Sequence, residues 1–251
     1  MGKRSARKSA KRAHDHYANY DSDNVRPLFE DQKWSPLQSE QRDQKYRKNI
    51  RPQNDSQRAF MEAIDTTSLV FATGAAGTGK TYVAIAKAVE ALEAGKVRRI
   101  VLSRPAVEAG ESLGFLPGDM EEKLSPYLRP LYDALCDRLS TKRLKALTAE
   151  GVIEIAPIAY MRGRTLNNAF VVIDEAQNCT YGQLKMLLTR LGWHSSMVVT
   201  GDPAQSDLLP GVSGLQDVTE KLEKLDKIKV IRFSQQDVVR HPLVADMIGV
   251  L

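Results

Sequence analysis

The sequence predicts an α/β fold: a mainly parallel sheet flanked by helices, preceded by a polar, mostly disordered basic arm. Three observations carry this expectation. Six short apolar runs recur between residues 68 and 233, separated by helical or glycine-rich segments, the alternation that builds parallel sheets. The first run enters Gly74-Ala75-Ala76-Gly77-Thr78-Gly79-Lys80-Thr81, which reads G-x-x-x-x-G-K-T. Another, Ala169 to Ile173, ends directly in two carboxylates, Asp174 and Glu175, and open α/β sheets hold their ligands off the carboxyl ends of strands.

The glycine stretch has the context its chemistry requires. Ser68 to Thr73 is apolar and fits a buried strand; Thr81 to Leu92 has apolar residues at helical spacing with a charged opposite face. Strand, loop and helix follow in order. Glycines let the backbone curl until its N–H groups point at phosphate oxygens, and the helix N-terminus adds positive potential. Lys80 then neutralises the outer phosphates of a nucleotide and the Thr81 hydroxyl takes a place on Mg²⁺. A glycine-rich turn with no ligand is the bland alternative, and the four fixed positions with strand and helix in place outweigh it.

Composition bounds the rest. The chain has 251 residues with 42% hydrophobic content, enough for one large or two small domains. Its basic start leads into no apolar signal core and no run approaches a membrane span, so the expectation is a cytoplasmic protein without a membrane partner. Cys136 and Cys179 make no disulfide framework and are expected as buried thiols. The four histidines lack zinc spacing, leaving Mg²⁺ as the expected metal. Charge is uneven: residues 1–49 hold 12 Lys/Arg and 7 Asp/Glu, leaving 24 of each for residues 50–251. The net +5 therefore lies in the first fifth of the chain.

Within that arm, Met1 to Arg12 has six basic residues and no acid, and scattered aromatics follow. Such an arm suits contact with single-stranded nucleic acid through phosphates and stacking, or a solubilising, partner-docking tail; both readings stand. The folded domain is expected from Arg51, opening with a helix over Ser56 to Ile64 capped by Asp55. Gln57 precedes Gly74 at a distance where its amide could pair with an adenine edge, although spacing alone favours an ordinary surface glutamine. Arg99 to Ser103 is a second strand, ending at Arg104-Pro105, and Glu108 to Gly118 a glycine-rich loop. Pro126 and Pro130 are expected to break the helical region from Asp119 to Leu139. Lys142 to Glu150 reads as a helix, Val152 to Ala156 as a strand, and Tyr160 to Thr165 as a basic loop with one aromatic.

Beside a phosphate loop, acids at a strand's carboxyl end have two roles. Asp174 can hold the Mg²⁺ shell, and Glu175 can orient and deprotonate an attacking water. A helix cap with an acidic first turn is the alternative. Met197 to Thr200 is a further strand, leading to Gly201-Asp202-Pro203-Ala204-Gln205. An amide such as Gln205 there can sense a γ-phosphate and couple hydrolysis to movement. A helix around Gly214 to Lys224 and a strand over Ile228 to Phe233 complete the pattern. Arg240 stands before a terminal helix and could reach a γ-phosphate, although a lone arginine is more often a salt-bridge partner.

Together, the loop, Asp174-Glu175-Ala176-Gln177-Asn178 and Gly201-Asp202-Pro203-Ala204-Gln205 resemble motifs I, II and III of superfamily-1 helicases. Ser103 to Glu111, Gly114 to Gly118, Pro126 to Leu135, Ala159 to Leu166 and Asp237 to Pro242 closely resemble the PhoH-like ATPases. The likeness covers residues 51–251, leaving 1–50 as a separate arm that resembles no family module. It implies a RecA-like domain, ATP and Mg²⁺, a cytoplasmic location, Gln57 at the adenine and Arg240 at the γ-phosphate. Lys80, Glu175, Gln205 and Arg240 are then the catalytic set. Gln57 and residues 74–81 bind the nucleotide, and Thr81 and Asp174 the metal. Some relatives carry a nuclease or RNA-binding module ahead of the ATPase; the polar first 50 residues are too short for either, so nuclease activity is not expected. One RecA-like domain offers a strand only one wall, which points to a homo-oligomeric ring, hexameric by resemblance. The leading expectation is an ATPase that remodels or moves along RNA or single-stranded DNA. The alternatives are a nucleotide-gated adaptor that recruits a ribonuclease or ribosome-associated partner, and an ATPase acting on protein.

Overall fold

A computed structural model describes residues 50–105 and 120–239, the side chains of 120–126 excepted. The basic arm, the loop Glu108 to Gly118, Arg240 and the terminal helix lie outside the described residues. In chain order the elements are α1 (Asp55–Thr66), β1 (Leu69–Gly74), α2 (Lys80–Glu93), β2 (Arg99–Arg104), α3 (Met120–Cys136) and α4 (Thr141–Ala149). There follow β3 (Ile153–Pro157), β4 (Ala169–Ile173), α5 (Tyr181–Leu188), β5 (Ser196–Gly201), α6 (Leu215–Leu222) and β6 (Ile228–Phe233). Short 3₁₀ turns occupy Ile158–Met161, Ala176–Asn178 and Gln235–Asp237.

All six strands form one sheet in the order β3-β2-β4-β5-β1-β6, with every pairing parallel. The central strands are buried along both faces, as near-continuous apolar runs require. Alternate residues feed two cores. Val70, Ala72, Ile100, Leu102, Phe170, Val172 and Val198 pack with α1 to α4. Phe71, Val101, Val171, Ile173, Met197 and Val199 pack with α5 and α6 on the opposite face. β6 closes one edge, its Lys229 and Arg232 exposed, charges that discourage pairing with another chain. Phe60 of α1 meets Phe233 of β6 edge-to-face, 5.8 Å between ring centres.

Four local expectations are corrected. The cap of α1 is Asn54, whose side chain accepts from the Gln57 amide, and Asp55 lies in the first turn, where the helix dipole favours an acid. Pro126 and Pro130 do not break α3. Leu128, Leu131 and Leu135 are buried along one stripe while Pro130 is exposed, so the helical bond Pro130 lacks is lost on the watery side and packing prevails. Helix α5 was absent from the pattern because it is short and contains Gly182. Its signal was the capping box Thr180-x-x-Gln183, both of whose bonds are formed. Cys179 is buried, but Cys136 is exposed at the end of α3.

Candidate nucleotide site

The strand order builds the site. β1, β5 and β4 are consecutive neighbours, so their carboxyl ends bring the glycine loop, Asp202 and Asp174-Glu175 side by side, as the crevice rule for parallel sheets requires. The loop and the start of α2, from Ala76 to Tyr82, line one side of an open cleft of about 280 Å³. Asp174, Glu175, Asp202 and Gln205 line the other.

Lys80 is buried, and its ammonium donates to the carbonyls of Gly74 and Ala75, 2.7 Å each, and to Thr78 Oγ1 at 3.3 Å. Burial pulls its pKa below the ordinary value, against the opposing attraction of Asp202, Asp174 and Glu175. The Ala76 amide donates to Asp202 Oδ2 at 3.1 Å, so the loop already cradles an anion. Thr78 Oγ1 donates to the Ala75 carbonyl and ties the turn to itself. Gly79 caps α2 in the left-handed region, φ 81°, with Gln57 Nε2 only 3.0 Å from where a β-carbon would stand.

Asp174 is the hub of the facing wall. Its Oδ1 accepts from Thr81 Oγ1 at 2.6 Å and from Thr200 Oγ1 at 2.7 Å, and its Oδ2 lies 3.7 Å from Arg104 NH1. Hydroxyl and carboxylate oxygens are the hard donors that Mg²⁺ takes, one or two from protein and the rest from phosphate and water. Glu175, one residue on, is in the left-handed region at φ 53°, an uncommon and strained setting for a glutamate. Arg104 NH2 donates to its Oε1 at 3.2 Å and Gln177 Nε2 to its Oε2 at 2.5 Å. Gln177 also accepts from the Asp202 amide at 3.0 Å and donates to the Gln205 carbonyl at 3.3 Å. The Gln205 side chain is exposed at the cleft's rim.

Gln57 is buried behind the loop. Its Nε2 donates to the Thr78 carbonyl at 3.0 Å and its Oε1 accepts from the Gln53 amide at 2.9 Å. One N–H and one lone pair remain, enough for an adenine edge. A strap after β6 reaches the same place: the Asp237 carbonyl accepts from Asn54 Nδ2, and the Val239 amide donates to the Gly77 carbonyl at 2.9 Å. Sequence reasoning missed Thr200, Asn54 and the cis role of Arg104. Asn54 was signalled by cap chemistry, whereas Arg104 and Thr200 depend on which strands are neighbours. Arg164 is held by Glu154 in a bidentate pair, 2.5 and 2.7 Å.

Fold and site together define a P-loop nucleoside triphosphatase domain. Residues 49–251 match the family described as PhoH-like protein, and the chain belongs to that family. It is 57% identical to a PhoH-like protein of Bacillus subtilis over 202 residues, 80% of this chain and 63% of that protein. It is 48% identical to Protein PhoH of Escherichia coli over 205 residues, 80% of this chain and 58% of that one. The chain thus spans less than two thirds of either relative's length. Among solved structures, the large terminase of a thermophilic bacteriophage superposes with a TM-score of 0.50 at 12% identity, covering 79% of this chain and 50% of that one. At that identity the likeness speaks for the fold alone.

Proposed function

We propose that this domain binds ATP with Mg²⁺, hydrolyses it, and couples turnover to remodelling of, or movement along, RNA or single-stranded DNA in the cytoplasm. One observation carries the catalytic part: Lys80, Asp174 and Glu175 converge on the phosphate loop, with Glu175 held in a strained backbone conformation by partners on both oxygens. Lys80 now bonds neutral carbonyls, which the charge of a terminal phosphate outcompetes. Thr81 and Asp174 would hold the Mg²⁺, which supplies neutralising charge for the phosphate oxygens. Glu175 takes the proton of the attacking water at a carboxylate oxygen, while Arg104 and Gln177 fix that carboxylate's orientation. Gln57, with its spare donor and acceptor, reads the adenine edge. Gln205 at the rim senses the γ-phosphate and passes the change through Gln177 to Glu175.

The Val239–Gly77 bond brings the chain to the phosphate loop one residue before Arg240, which supports Arg240 as a cis contact to the γ-phosphate. The cleft is open on one side, and a neighbour in a homo-oligomeric ring would close it. Arg104 is paired in cis and Arg164 with Glu154, so each would have to leave an ion pair to act in trans. Among the described residues no helix is long and apolar enough to cross a membrane.

The test is the rate of ATP hydrolysis with Mg²⁺, titrated with poly(U) and with poly(dT). Hydrolysis that rises several-fold with one of the polymers is expected. No hydrolysis overturns the catalytic reading. Hydrolysis indifferent to both polymers overturns the nucleic-acid reading and leaves the adaptor, for which a protein partner is the stimulator.

A further inference from the structure

We propose that a second region, away from the nucleotide cleft, is a contact surface for single-stranded nucleic acid. It comprises the 3₁₀ turn Ile158–Met161, the loop after it, helix α5 and the segment 189–195. The proposal rests on the reading above that the domain works on nucleic acid.

The charge pattern is the first argument. Residues 50–251 are balanced overall, yet between Glu154 and Asp202 the only acids are Asp174 and Glu175, both committed to the cleft. Four cations, Arg162, Arg164, Lys185 and Arg190, fall in the same stretch. Arg164 is neutralised by Glu154. Among the described residues the other three make no ion pair. Arg190 shows how such a charge is kept: its Nε donates to the Met186 carbonyl, NH1 to the Arg164 carbonyl and NH2 to Thr189 Oγ1. Every acceptor is neutral, so the guanidinium is held in place with its charge uncompensated. Helix α6 on the same face of the sheet differs, mixing Asp217 and Glu220 with Lys221, and Glu223 and Lys224 follow it directly.

The second argument is aromatic. Tyr160 is 60% exposed and Trp193 81%, which leaves both ring faces open to a stacking base. Trp193 does not belong to a loose tip. Its amide donates to Asn167 Oδ1 at 2.8 Å, its carbonyl accepts from the Asn168 amide at 2.9 Å and from Ser195 Oγ at 3.2 Å. With the backbone held, only the side-chain torsions of the ring remain to be ordered when a base stacks on it.

The third argument is continuity. The Leu166 amide donates to the Arg190 carbonyl and the Gly192 amide to the Leu166 carbonyl, and the Arg190–Arg164 bond crosses the same seam. Tyr160, Arg162, Arg190 and Trp193 therefore sit on one bonded unit. Trp193 also borders a groove of about 880 Å³ with Lys96, Thr165 and His194, whose other wall carries Asp65 and Glu90, both paired with Lys87; there is room for an unpaired base on the indole side. Uncompensated cations interleaved with exposed rings suit a strand whose bases are free to stack; a duplex hides those faces. Tyrosine, tryptophan and arginine also anchor protein interfaces, and the strong salt dependence of phosphate contacts separates the two.

The experiment uses the full chain with Trp34→Phe, which leaves Trp193 as its only tryptophan. Labelled oligo(U) and oligo(dT) are titrated by anisotropy, and Trp193 emission is followed in parallel. Quenching with the same midpoint as binding is expected, and the stronger polymer distinguishes RNA from DNA. In the parent chain, Trp193→Ala or Tyr160→Ala should weaken binding about tenfold, while Trp193→Phe keeps most of it. Arg162→Ala with Lys185→Ala should reduce the log–log salt slope by about 1.4, at roughly 0.7 per lost phosphate contact. Oligonucleotide binding without quenching, and unchanged by Trp193→Ala, would overturn this surface while leaving the proposed function standing. Absence of any binding overturns both.

Discussion

At the scale of single residues, environment divides like from like. Cys179 has a thiol pushed up to about 12 by burial alone, so almost none of it is thiolate at neutral pH and it is inert. Cys136 is exposed. A thiol reagent should label one cysteine per native chain and two in denaturant; two fast thiols in the native protein would contradict the packing around β4 and α5. The same contrast explains what the sequence could disclose. The places of Lys80, Thr81, Asp174 and Glu175 in the cleft were legible because they are set by neighbours in sequence: a glycine loop, or the end of an apolar run. Arg104 and Thr200 were not, since each meets Asp174 only because β2 and β5 flank β4. Gln57 was half legible. Its spacing alone favoured a surface glutamine and only the family resemblance pointed to the nucleotide; its burial and its bond to the Thr78 carbonyl depend on how α1 packs behind the loop.

At the scale of elements, two contacts tie loops to the sheet. Gly74 ends β1 at φ 125°, and a β-carbon there would lie 1.9 Å from the Phe233 carbonyl oxygen of β6. Backbone cannot yield as a flexible side chain does, so Gly74→Ala should cost more than about 4 kcal/mol. The check is thermal unfolding, with a fall in Tm of roughly 10 °C or more expected; a change of a degree would show that β6 is free to move away. The second contact is Glu154 with Arg164, which fastens the loop after β3 to that edge strand. The guanidinium hydrogen-bonded to Glu154 holds its carboxyl below the usual 4.5, against the opposing effect of burial. A depressed folded-state value means the pair stabilises fully above the unfolded value and loses that effect as pH falls through the folded one. Glu154→Gln should therefore lower stability by about 1 kcal/mol at neutral pH, and the gap to wild type should close in the acid range below 4.5. A gap that stays constant from neutral pH down to about 3, measured by urea unfolding, would contradict this. Elements in this chain were readable where length and capping agreed; α3 and α5 escaped because packing of leucines and a two-sided cap overrode proline and glycine.

At the scale of the whole molecule, six parallel strands were foreseeable from six apolar runs, but their order was not. A continuous apolar run says that both faces of a strand are buried, not which strand lies alongside. That order decides function here: with β1, β5 and β4 adjacent, the phosphate loop, Asp202 and the two acids share one crevice. It also separates the cleft, at the carboxyl ends, from the groove beside Trp193, which is lined by Ser68 and Ser196 near the amino ends of β1 and β5. On the proposed function, a strand of nucleic acid and a nucleotide would engage different parts of one sheet, joined by β4, β5 and the helices packed on them.

The central claim is that this cleft hydrolyses ATP with Glu175 as the base, and the most direct measurement is turnover by Glu175→Gln alongside its affinity for a fluorescent ATP analogue. An amide keeps the size and the hydrogen-bonding reach of the carboxylate but cannot accept the water's proton. The account predicts nucleotide affinity within a few-fold of wild type and turnover lower by about 10²-fold or more. Turnover at the wild-type rate would contradict it.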